Sequence, residues 1–101
     1  MINEIIRTEA QAKRVSNEMV SDLKSVLELY KEYQVTKDKT NKEVVIKSDT
    51  SCPILTSTAV AAVLKVINWY MFKYSNISYV IDIQKGTQRE YIPVIRIQLY
   101  I

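Results

Sequence analysis

The segment from Ile54 to Tyr74 constrains this chain more than any other, because Lys65 and Lys73 are its only charged residues. It holds Leu55, Ala59, Val60, Ala62, Val63, Leu64, Val66, Ile67, Trp69, Tyr70, Met71 and Phe72. A helix so composed is apolar around most of its circumference and must be covered on most sides. Its length approaches that of a membrane span, but Lys65 and Asn68 near its middle make insertion expensive, so the reading is no membrane and a core helix. Pro53 suits its first turn, with Asp49, Thr50, Ser51 or Thr56 available as cap, which sets the helix at 53–74.

After Ser75 and Asn76, residues 77–83 alternate apolar and polar, and a connection centred on Gly86 leads to a second alternating run from Tyr91. The two read as a β-hairpin over 77–101. In the second strand Ile95, Ile97, Leu99 and Ile101 face one way and Arg96, Gln98 and Tyr100 the other. Pro93 cannot donate to a ladder, which points to an edge strand or a bulge at that position.

Before the core helix, β-branched residues at 43–47 indicate a short strand, and the polar stretch 34–41 reads as a loop. Residues 1–33 place Ile5, Ala12, Val15, Met19, Leu23, Val26, Leu29, Tyr30 and Tyr33 at helical spacing with no proline or glycine. Asn3, or Thr8 with Gln11 as a capping box, can start this amphipathic helix. Positions 5, 12, 19, 26 and 33 share a heptad register, but Thr8 and Asp22 spoil the second seam, so a helix lying on a sheet or on a partner's helix is favoured over a strict coiled coil. Unbroken, it would span about 45 Å, longer than a compact domain of this size, and it must then break near Ser16 and Asn17 or project towards another chain.

The resulting fold class is α+β, a single two-layer domain in the order α-β-α-β-β, with a three-stranded sheet that includes the C-terminal hairpin and is packed by two helices. Three strands leave two edges, and the last strand is long and apolar. A homodimer that hides it is the expected state.

The same residues exclude much chemistry. Histidine is absent and Cys52 is the only cysteine, which argues against a metal site, a disulfide and a catalytic thiol, and suits a reducing, cytoplasmic setting. The single glycine leaves no phosphate-cradling loop, and no cofactor is implied. The cluster of Ser48, Asp49, Thr50, Ser51 and Cys52, with Thr56, Ser57 and Thr58 just beyond, could hold an anion near a helix start, but capping explains those residue types more simply. No paired carboxylates or nucleophile with a base are signalled, so the chain is read as non-catalytic.

What remains is binding. The net charge of +3 is uneven: residues 1–33 carry five Lys/Arg against six Asp/Glu, and residues 51–101 five against two. Lys85, Arg89 and Arg96 on or beside the hairpin are therefore the candidate contacts for nucleic acid. The chain is also rich in tyrosine, with seven, and Tyr30, Tyr33, Tyr91 and Tyr100 are the candidate interface residues. A protein-interaction or assembly module is the first expectation and a nucleic-acid-binding protein the second. The small size and the isoleucine- and lysine-rich composition also suit a viral or mobile-element accessory protein.

Overall fold

The computed structural model describes residues 4–28, 33–48, 57–85 and 91–101, with side chains for all of these except 48, 57–58, 83–85 and 91–93. The elements are α1 (Glu9–Val26), β1 (Tyr33–Lys37), β2 (Glu43–Ser48), α2 (Ser57–Lys73), β3 (Ile77–Lys85) and β4 (Tyr91–Leu99). Four strands form one sheet in the order β1-β2-β4-β3, with every neighbouring pair antiparallel. The class is α+β.

The sheet has four strands where the sequence suggested three. Tyr33–Lys37, expected partly as helix and partly as loop, is strand β1. Tyr33 and Val35 turn inward while Gln34 and Thr36 turn to solvent, a period-two pattern within a polar stretch. The turn into β2 is built without glycine. Asn41 takes φ 60°, which asparagine tolerates, and the Asp38 carboxylate accepts from the Lys42 and Glu43 amides at 2.9 and 3.1 Å.

Helix α1 is likewise shorter than the expected 1–33 and neither breaks at Ser16 nor projects. It starts on the Thr8–Gln11 capping box: the Thr8 hydroxyl accepts from the Gln11 amide at 3.1 Å, and the Gln11 side chain accepts from the Thr8 amide at 3.1 Å. It ends at Leu27, whose amide bonds back to Leu23. Ser16 is fully buried, and its hydroxyl is satisfied by donating to the Lys13 carbonyl at 3.1 Å, so the helix passes through it.

Strand β4, expected as an exposed terminal strand, is internal, and β1 and β3 are the edges. Among the described residues the last β2–β4 pair is Lys47 with Val94, and the next residue of β4, Pro93, pairs with Ile83 of β3.

Both helices lie on one face of the sheet. Ala12, Val15, Met19 and Leu23 of α1, Ala59, Val63, Ile67 and Tyr70 of α2 and Tyr74 just past its end pack on Val35, Val44, Ile46, Ile77, Ile95, Ile97 and Leu99. Each such side chain removed from water stabilises the fold by roughly 1.5–3 kcal/mol for the larger aliphatics. On β4, Ile95, Ile97 and Leu99 face inward as the alternation indicates, whereas Ile101, expected with them, lies past the end of the strand and is exposed.

Asn76 closes the layers. Its side-chain amide accepts from the Ile6 amide at 2.9 Å and donates to the Ile6 carbonyl at 2.8 Å and to the Tyr100 carbonyl. Glu4 adds an isolated parallel bridge to Tyr74, through Glu4 N–H to Lys73 O and Ser75 N–H to Glu4 O, both at 2.9 Å. The segment ahead of α1 is thereby held against the end of α2, with Ile6 buried.

Candidate interaction surface

Seventeen residues of α2 turn one face to the sheet and another towards α1, and these neighbours do not cover the rest. Ala59, Val63, Ile67, Tyr70 and Tyr74 recur at three- and four-residue spacing and fill the inward face. Trp69 and Phe72 fall outside it, with 56% and 52% of their surface exposed. The sequence demanded cover on most sides of this helix, and among the described residues that cover is incomplete. The signal was available: placed on a helical projection, Trp69 and Phe72 lie away from the inward set.

On the α1 side of that exposed face lies a groove of about 440 Å³, lined by Asp22, Ser25 and Val26 from α1 and by Ala62, Lys65, Val66 and Trp69 from α2. At its rim the Tyr70 hydroxyl donates to the Asp22 carboxylate at 2.6 Å. Burial first, then that bond and the Asp22 charge, hold the tyrosine pKa well above its ordinary value. The pair ties the helices together and offers no nucleophile. Strand β3 adds two more exposed apolar residues, Val80 at 52% on the open face of the sheet and Ile81 at 53% on the helix face.

The open face carries a polar chain. Arg96 pairs with Glu43 at 3.2 Å and stands 3.8 Å from Asp82, while Gln98 donates to Glu43 at 3.4 Å and accepts from the Tyr100 hydroxyl. Ser78 reaches that hydroxyl at 3.4 Å. The one cation faces two carboxylates, so the arrangement carries no positive excess and Arg96 is already engaged.

The candidates read from sequence are scattered. Arg96 is half-buried in the open-face chain, and Tyr100 is exposed beside it. Tyr33 is 8% exposed and belongs to the core, because β1 directs it inward, so it offers no interface surface. The side chains of Lys85 and Tyr91, all of Tyr30 and Arg89, and the 49–52 cluster lie outside the described residues. Among the described residues no group of three or more His, Cys, Asp or Glu is placed to hold a metal ion, and no helix is long and apolar enough to cross a membrane. The chain matches no protein-family model, no curated protein and no solved structure.

Proposed function

We propose that this chain is a small non-catalytic interaction and assembly module, homodimeric, that binds through the uncovered apolar surface of α2 and β3. The observation that carries this reading is the exposure of Trp69 and Phe72, one turn apart on the most apolar helix of the chain. Single exposed apolar side chains are ordinary, whereas two exposed aromatic residues one turn apart on α2, with Ile81 exposed on the helix face of β3 and Val80 on its open face, are what protein-binding sites present. Covering the exposed half of each of these four side chains is worth about 1 kcal/mol apiece. For two copies that is of the order of 8 kcal/mol, the size of a micromolar association before the cost of immobilising the partners. Side chains alone therefore support a weak complex, and a tighter one needs hydrogen bonds as well.

Nucleic-acid binding through the hairpin is the second reading. It stands second because Arg96 is paired with Glu43 and Asp82, so a phosphate would have to displace carboxylates. Salt separates the two readings: phosphate contacts weaken steeply as salt rises, and an apolar protein interface hardly changes. The test is sedimentation of the chain at low and high salt, beside anisotropy titrations of labelled DNA and RNA. The proposal expects a concentration-dependent dimer indifferent to salt. Salt-sensitive nucleic-acid binding by a monomer would replace it with the second reading.

A further inference from the structure

We infer that the partner fitted by the β3 edge is a second copy of this chain, paired antiparallel across a twofold axis at Val80, so that two four-stranded sheets become one sheet of eight. This rests on the interaction-module reading and names its partner.

The two edges of the sheet differ. β1 is five residues long, ends in Lys37 and has Lys24 of α1 alongside. Short length and lysines are how sheets discourage pairing at an edge. β3 runs for nine residues, about 30 Å, without proline; it too ends in a lysine, Lys85, but Asp82 is its one charge from Ile77 to Gln84. It exposes apolar side chains on both faces, Val80 on one and Ile81 on the other. An edge of that kind is a template for another strand.

Self-pairing must be symmetric about one residue, so each possible axis sets different neighbours opposite one another. An axis at Asp82 opposes two carboxylates, which is unfavourable. Axes at Tyr79 or Ile81 set Val80 against a polar residue, Ser78 or Asp82. With the axis at Val80, that side chain meets its own copy, Tyr79 meets Ile81 of the second copy on the helix face, and Ser78 meets Asp82 of the second copy on the open face. Apolar then faces apolar, and a hydroxyl faces a carboxylate.

The helix layer agrees with this geometry. The groove places α1 on the Ala62, Val66 and Trp69 side of α2, so Val60, Leu64, Asn68 and Met71 lie on the side turned away from α1, with Phe72 outermost on the helix. α2 packs over β3, the edge strand, and a twofold there brings that side of α2 towards its copy. A ladder of seven overlapping residues buries roughly 700 Å² over both chains, short of the roughly 1,200 Å² that stable interfaces reach. Contact between the two α2 helices, through Leu64 and Met71 with Phe72 at its outer rim, supplies the remainder.

The test places spin labels on the full chain in a Cys52→Ser background, at Val80→Cys in one sample and Thr36→Cys in another. Edge pairing predicts strong short-range coupling, about 10 Å or less, at position 80 and a separation of about 34 Å at position 36, seven strand spacings apart. Val80→Lys, at a site already exposed in the single chain, should weaken dimerisation about tenfold or more with the circular-dichroism spectrum unchanged. A dimer with distant labels at position 80 overturns the edge pairing and leaves the interaction-module reading standing. A chain that stays monomeric at every concentration overturns both the edge pairing and the homodimer.

Discussion

The Tyr70 hydroxyl donates a 2.6 Å hydrogen bond to the carboxylate of Asp22, and this is the polar pin between the two helices. Replacing Tyr70 with phenylalanine keeps the buried ring and removes the bond, so Tyr70→Phe should cost about 1 kcal/mol in denaturant unfolding, because exposed Asp22 regains water.

The same pair sets an alkaline dependence. Burial and the neighbouring carboxylate raise the folded pKa of Tyr70 above its unfolded value of about 10. A group raised in this way contributes stability that is complete below the unfolded pKa and is lost as pH rises through the folded one. Above about pH 10 the wild-type chain should lose stability faster than Tyr70→Phe, and unfolding curves of the two at stepped alkaline pH check the sign.

Asp38 gives the opposite case at acid pH. Its partial desolvation, the largest single influence, pushes its pKa up, but the hydrogen bonds from Thr40 and from the Glu43 and Lys42 amides together bring it below the ordinary value of 3.8. A depressed carboxylate stabilises above its unfolded pKa and stops doing so as pH falls through the folded one. The group is well solvated, so the increment is small. Comparing wild type with Asp38→Ala below about pH 4 should show the difference between them shrinking as the carboxyl protonates, and a proton-detected titration of the Lys42 and Glu43 amides should report the same midpoint.

Asn76 holds Ile6 on both its amide and its carbonyl. Asn76→Ala strips partners from backbone groups beside a buried side chain and should cost about 2 kcal/mol, with faster hydrogen exchange at the Ile6 amide. Asn76→Asp keeps the acceptor but turns a carboxylate towards two carbonyls. It should be no better than alanine at neutral pH.

Where periodicity governed, residues and structure agree: the inward set of β4, the hairpin, the strand at 43–47 and the Thr8–Gln11 cap all follow from local pattern. β1 was hidden because its five residues follow polar Gln34–Asn41 composition, and only pairing with β2 decides that Tyr33 and Val35 face a core. The place of β4 between β2 and β3 is a long-range choice that alternation cannot encode, since an internal strand and an edge strand alternate alike. The Glu43–Arg96–Asp82 chain follows from that choice, and so escapes a reading made one segment at a time. For the interaction surface, the composition of α2 already required cover, but which residues stay outside depended on where α1 and the sheet came to rest.

The most direct measurement is the sedimentation-equilibrium mass of the wild-type chain beside a Trp69→Glu/Phe72→Glu double variant, over a wide range of concentration. Both positions are exposed in the single chain, so the variant should keep its helix content. The expected result is a wild-type dimer at twice the chain mass and a monomeric variant with an unchanged circular-dichroism spectrum. A wild-type chain that remains monomeric throughout, or a variant that dimerises as the wild type does, would contradict assembly through this surface.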